Sequence, residues 1–204
     1  MIKNLGILGG SFNPVHLGHL GIATSVLGQG IDKVLFLPDN VSPFKVSGVK
    51  PLEDMSRHRL EMLKLCCVGN PLFGIETMEI HTDVVSYTYV TLQKLKEKYG
   101  EHISFILGLD SLLSLHLWYR SQELVRECDF ITVLRPGVER PVGLPGFPKD
   151  IEDRLLSRII EPKGRYDISS TIIREKIRKQ ESLRGLVPLA VEEYIKANHL
   201  YLDP

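Results

Sequence analysis

Cysteine is scarce in this chain: Cys66, Cys67 and Cys128 are all there are in 204 residues. An odd number with an adjacent pair argues against a disulfide framework and fits a reducing cytoplasm. An excess of one charge is missing too, since 25 Lys plus Arg balance 25 Asp plus Glu. That argues against a broad nucleic-acid or anionic-membrane surface, so any anion site has to be a local cluster. No apolar run approaches the roughly 20 residues of a membrane span. Met1-Ile2-Lys3-Asn4 lead straight into an apolar stretch with no signal-peptide pattern. The dinucleotide fingerprint Gly-x-Gly-x-x-Gly and the phosphate loop ending in Gly-Lys-Ser/Thr are both absent. There is no internal repeat and no low-complexity segment.

What is present reads as an ordinary globular protein, 43% apolar and 25% charged. The length suits one domain, expected to span residues 1–204. Apolar runs at Leu5–Leu8, Lys33–Leu37, Leu72–Ile80, Ile103–Leu107 and Phe130–Leu134 predict strands, with Ile159 and Ile160 as a short last one. Helical patterns lie between them. This alternation predicts an α/β fold with a doubly wound, mostly parallel sheet and helices on both faces. Pro136, Pro141, Pro145 and Pro148, with Gly137, Gly143 and Gly146, predict an irregular connector rather than a domain boundary.

The most informative stretch is Gly9-Gly10-Ser11-Phe12-Asn13-Pro14-Val15-His16-Leu17-Gly18-His19. It joins the first predicted strand to a helix through Leu20, Ile22, Ala23 and Val26. A strand ending in a glycine-rich bend before a helix directs backbone N–H groups and a positive helix end at one place, which suits an anion. His16 and His19 share a helix face, where both imidazoles can donate to phosphate oxygens. Glycine needed only for the bend, or a metal half-site, are the alternatives, although paired histidine ligands more often sit four apart.

Further candidates stand where predicted strands end, the place open α/β sheets bind ligands. Asn40 and Lys45 follow the second strand. Gly108 and Asp110 follow the fourth, and a carboxylate there accepts well from sugar hydroxyls. Trp118, the lone tryptophan, with Tyr119 offers a flat ring for stacking on a base, and Arg135 follows the fifth strand. Arg57, His58 and Arg59 are expected in the first turn of a helix capped by Asp54 or Ser56, where the dipole disfavours cations, so either a nearby anion or plain solvated surface charge is expected there. Ser86 is expected to cap the helix containing Thr88. Late in the chain, Ser169 caps a predicted helix whose first turn carries Ser170, Thr171 and Arg174, a second phosphate cradle. Pro188–Tyr201 reads as a closing helix.

Gly-Gly-Ser-Phe-Asn-Pro followed by His-x-Gly-His resembles the nucleotidyltransferase superfamily with that histidine signature. Ser86-Tyr87-Thr88 with Thr91-Leu92, Gly108-Leu109-Asp110-Ser111-Leu112 with Trp118-Tyr119, Arg135-Pro136-Gly137, and Ile168-Ser169-Ser170-Thr171-Ile172-Ile173-Arg174 narrow the resemblance to bacterial nicotinate-nucleotide adenylyltransferases over nearly the whole length. The resemblance implies a Rossmann-like fold that joins ATP to nicotinate mononucleotide, with Mg²⁺ carried mainly by the ATP phosphates. It implies catalytic roles for His16, His19 and Arg174, and an ATP site of Gly9, Gly10, Ser11, Phe12, Gly108, Asp110, Ser170 and Thr171, completed by the helical part from about residue 165. It implies a nicotinate-nucleotide site of Asn40, Lys45, Thr88, Trp118, Tyr119 and Arg135, with backbone N–H groups at Trp118-Tyr119 favouring the acid over the amide. Self-association is left open. Two departures fall near that second site: Ser42-Pro43-Phe44-Lys45 replaces the common Pro-Pro-His-Lys, and His81-Thr82-Asp83-Val84-Val85 replaces an Arg- and Gly-rich run. The rival readings are another superfamily member, for instance one acting on phosphopantetheine, and a non-catalytic nucleotide-binding module.

Overall fold

A computed structural model describes residues 3–39, 53–80, 85–100, 102–162 and 168–202, with side chains from residue 55 onward in the second of these stretches. Asn40, Lys45, the Ser42–Phe44 departure and His81–Val84 lie outside them. Among the described residues, six strands form one sheet: β1 (Leu5–Gly10), β2 (Lys33–Pro38), β3 (Phe73–Ile75), β4 (Ile103–Gly108), β5 (Asp129–Val133) and β6 (Ile159–Ile160). Their order is β3-β2-β1-β4-β5-β6, and every pair is parallel. The sheet is thus wholly parallel where a mostly parallel one was expected. The chain runs outward from β1 to β3, then returns to the other side of β1 with β4. This reversal opens a crevice at the carboxyl ends of β1 and β4.

The helices are α1 (Leu17–Val26), α2 (Glu53–Cys67), α3 (Thr88–Tyr99), α4 (Leu109–Leu113), α5 (Ser121–Glu127), α6 (Lys149–Ser157), α7 (Ser170–Arg178) and α8 (Leu189–Ala197), with a 3₁₀ turn at Leu115–Leu117. Side chains alternate across the sheet with period two. Leu8, Val34, Phe36, Ile106 and Ile131 pack with Ala23, Met62, Leu63, Ile173, Ile177, Val191 and Ile195 of α1, α2, α7 and α8. Ile7, Leu35, Leu37, Phe105 and Phe130 face the other way, onto Leu92, Leu95, Leu124, Ile151 and Leu155 of α3, α5 and α6. Strands buried on both faces explain why they read as continuous apolar runs.

Several boundaries differ from the sequence reading. The third strand stops at Ile75. Glu76 then turns inward, accepting from Lys98 Nζ (2.8 Å), Tyr99 OH (2.6 Å) and Met78 N–H (3.1 Å). The apolar residues beyond it, Met78 and Ile80, belong to a turn packed against the core. Tyr87, not Ser86, stands at the N-cap of α3, with no side-chain cap bond. Ser56 lies inside α2, which begins at Glu53. The stretch before Trp118 forms α4 and then the 3₁₀ turn rather than one helix, and α8 ends at Ala197, short of Tyr201, with Pro188 as its N-cap.

Candidate functional site

The His-x-Gly-His segment builds the start of α1 from its own side chains. His16 is the N-cap, and its Nδ1 accepts the His19 N–H, while His19 Nδ1 accepts the His16 N–H, both at 3.3 Å. Two orphan backbone donors are thereby satisfied reciprocally. The rings stack at 3.6 Å between centroids. Gly18 is required by this stack, because a Cβ there would stand 2.9 Å from His16 Nδ1 and 3.0 Å from its Cε1. Burial pushes the His16 imidazole down to about 4. Burial, then the adjacent His16, holds His19 well below the usual histidine range. Both rings are neutral at pH 7, and because each Nδ1 is an acceptor, each proton sits on Nε2. The segment therefore presents two neutral Nε2–H donors beside a helix N-terminus.

The second predicted cradle reaches the same loop. Ser169 caps α7 through its Oγ, which accepts the Ile172 N–H at 3.2 Å. Ser170 Oγ donates to Pro14 O at 2.9 Å, and Arg174 Nη1 donates to Asn13 O at 2.7 Å while its Nη2 donates to Thr171 Oγ1 at 3.2 Å. Tyr201 OH adds a bond to Asn13 Oδ1 at 2.6 Å. Segments more than 150 residues apart are thus tied at one point.

Two cavities open at the crevice. The first, of about 320 Å³, is lined by His16, Gly18, His19, Gly108, Asp110, Ser111, Arg135, Ser169 and Ser170, among others. The second, of about 310 Å³, is lined by Gly9, Gly10, His19, Asp39, Glu79, Ser86, Thr88, Phe105, Gly108, Ser111 and Trp118, among others. His19, Ile22, Gly108 and Ser111 line both. Gly108 has open space where a Cβ would stand, which leaves its backbone approachable from either side.

The remaining predicted site residues distribute unevenly. Arg135 stands in the first cavity, its Nη2 3.1 Å from Asp110 Oδ2, rather than beside Thr88 and Trp118. Phe12, at φ 46° and buried, lies edge-on to His19 with centroids 4.9 Å apart. Ser11 Oγ donates to Asp39 Oδ2 at 3.1 Å. Tyr119 is half exposed and packs on Tyr87, with ring centroids 4.7 Å apart. The Trp118 N–H donates to Leu115 O at 3.1 Å, so of the two backbone donors expected to favour an acid, that one is already engaged.

Three residues carry more than the sequence reading gave them. The anion expected near Arg57–Arg59 is Asp39: buried Arg59 donates through Nη1 to Asp39 Oδ1 (3.2 Å) and Ser11 O (2.7 Å). The unexpected charge in a helix was the signal, although the residue lies beyond the first turn. Asp39 itself was legible only as the neighbour of Asn40. Glu79 had no signal, because it sat in an overlong predicted strand. It is 9% exposed and accepts from Thr91 Oγ1. Burial pushes its carboxyl up to about 7, with the Thr91 hydroxyl pulling down and Asp39 adding upward.

The cytidylyltransferase-like family matches residues 7–176. The chain is 38% identical over 200 residues to a probable nicotinate-nucleotide adenylyltransferase of Carboxydothermus hydrogenoformans, covering 97% of each. It is 36% identical over 204 residues to the nicotinate-nucleotide adenylyltransferase of Bacillus subtilis, covering 98% of this chain and 99% of that one. In fold it is similar to Plasmodium falciparum nicotinic acid mononucleotide adenylyltransferase complexed with NaAD, at a TM-score of 0.72 and 22% identity over 98% of this chain and 97% of that one.

Proposed function

The chain belongs to the nicotinate-nucleotide adenylyltransferase family, and from that membership we infer that it transfers the adenylyl group of ATP to nicotinate mononucleotide, giving deamido-NAD and pyrophosphate in NAD biosynthesis. The observation that carries the site assignment is the pair of cavities meeting at His19 and Gly108. We assign ATP to the cavity of His16, Ser169 and Ser170, and the mononucleotide to that of Thr88 and Trp118. The reacting phosphates then meet beside His19.

A mononucleotide phosphate oxygen attacks the α-phosphorus of ATP, and the bond from that phosphorus to the bridging oxygen breaks as pyrophosphate leaves. A phosphate monoester's second pKa is about 6, so the nucleophile is largely dianionic at neutral pH and needs no strong base. Neutral imidazoles suit this chemistry, since they donate from Nε2 without taking a proton from the nucleophile. Catalysis rests on positioning and on donors aimed at developing charge. His19 serves the transferring α-phosphoryl group, His16 the neighbouring phosphates, and Arg174, with Ser170 and Thr171, the β/γ end. Asp110 and Gly108 serve the adenosine. We assign Arg135 to the border between the ATP and mononucleotide sides, a reading supported by its ion pair with Asp110 in the first cavity. Trp118 stacks on the pyridine ring. The part from about residue 165 onward completes the ATP side of a single working unit.

Among the described residues, no three His, Cys, Asp or Glu side chains converge as a metal cage. From the family membership we place Mg²⁺ on the ATP oxygens as part of the substrate, as suits an ion that keeps most of its own ligands. No described helix is long and apolar enough to cross a membrane. From the family membership we place the reaction in the cytoplasm. The test is pyrophosphate release from ATP with the acid or the amide mononucleotide. Release with the acid, and much less with the amide, is expected; none with either refutes the reading.

A further inference from the structure

The second cavity poses an electrostatic question. Among the described residues, its ionisable lining residues are Asp39, Glu79 and His19, with no Lys or Arg; Lys45, expected on this side, lies outside the described residues. Two acids are a poor lining for a molecule known only as a phosphate and a carboxylate. A pyridine mononucleotide carries a third charge, however. Its ring nitrogen is bonded to ribose, so the ring is a permanent cation. A buried carboxyl and an indole face in one cavity are the chemistry that recognises a flat organic cation.

We infer that Glu79 is the countercharge that selects the positively charged pyridinium ring of the mononucleotide. This rests on the assignment of that substrate to the second cavity. The geometry is fixed from several sides. Thr91 of α3 donates to Glu79 Oε1 and fixes the carboxyl. Glu76, three residues earlier, is held by Lys98 and Tyr99 of the same helix, which pins the turn carrying Glu79. Trp118 packs against Phe105 in a T-shaped pair, with ring centroids 6.3 Å apart and planes at 79°. Asp39, from the end of β2, has its charge engaged by Arg59 of α2 and by Ser11. His19 of α1 is neutral, and Thr88 completes the α3 side. Because burial leaves the Glu79 carboxyl at about 7, part of it is protonated in the free protein at neutral pH. A bound ring cation favours the carboxylate, so the carboxyl O–H proton passes to buffer as the complex forms.

The experiment compares nicotinate mononucleotide with its 1,4-dihydro form, whose ring is neutral and whose carboxylate and phosphate are the same. The wild type is expected to prefer the cationic ring by about tenfold or more in kcat/KM, the worth of a desolvated cation contact. Glu79→Gln keeps an acceptor for Thr91 and is expected to lose most of that preference, with the KM for ATP unchanged. An equal preference in wild type and variant overturns the inference. A second measurement needs no variant. Calorimetric binding enthalpy in buffers of different ionisation heat should show proton release with the cationic ring beyond that with the dihydro form; equal release overturns it. If the wild type turns over neither acid nor amide mononucleotide, the substrate assignment falls and takes this inference with it. Turnover without ring preference defeats the inference alone.

Discussion

His19 stands where the two cavities meet, offering a neutral Nε2–H donor. Replacing it with Ala is expected to lower kcat by about 10²–10³, the usual loss for a donor aimed at transition-state charge. Stability should fall far less, since one backbone capping bond is worth about 1 kcal/mol. Steady-state kinetics beside a thermal melt check both. His16 makes a different prediction. Its folded pKa is about 4, against 6.5 for a free imidazole, so between those values the unfolded chain binds the extra proton. Its contribution is therefore intact above pH 6.5 and shrinks as pH falls toward 4. The loss is on the order of 3 kcal/mol, and below pH 4 this group removes nothing more. Denaturant midpoints across that range should fall with acid, and a His16→Asn cap should flatten the profile.

At the scale of elements, the start of α1 depends on Gly18 as much as on its histidines. Gly18→Ala puts a methyl against the pinned His16 ring, so the stack and its reciprocal cap must open. A lower melting temperature and a fall in kcat of at least tenfold are expected, whereas an unchanged melt would mean that the rings move freely. Much of this level was legible beforehand. Strands buried on both faces betray themselves as apolar runs, and the capped start of α7 is written in Ser169-Ser170-Thr171. What misled was apolar spacing without strand pairing. Met78 and Ile80 prolong the apolar run but fall out of phase with Phe73 and Ile75, and after Glu76, whose N–H still donates to Phe36 O of β2, the chain turns and the Glu76 carboxylate takes three hydrogen bonds. Glu79 was invisible for the same reason. A carboxyl two residues into an unexpected turn has no periodicity to mark it, and its meaning comes from Thr91 and Asp39 across the cavity. Arg59 was half legible: a run of cations in a helix raised the question of an anion, although Arg59 lies past the first turn, and only the fold brings Asp39 to it.

Across the whole molecule, the described residues from Ile168 onward are built into the core face that also carries α1. Val191, Ile195 and Leu200 are buried there with Val26 and Phe36. A chain ending at Pro188 exposes part of that face, and three such side chains are worth roughly 1.5–3 kcal/mol each, a large share of a typical stability of about 5–15 kcal/mol. Loss of a cooperative thermal transition by circular dichroism is expected, together with loss of ATP binding. The Asn13 loop, meanwhile, is held by Ser170 and Arg174 of α7 and by Tyr201 beyond α8. During translation, the glycine-rich bend leaves the ribosome first and these clasps last. A nascent chain therefore carries the oldest half of its nucleotide grip long before the newest half exists, so ATP cannot serve as a template for early folding, and truncated translation products should be catalytically silent rather than partly active.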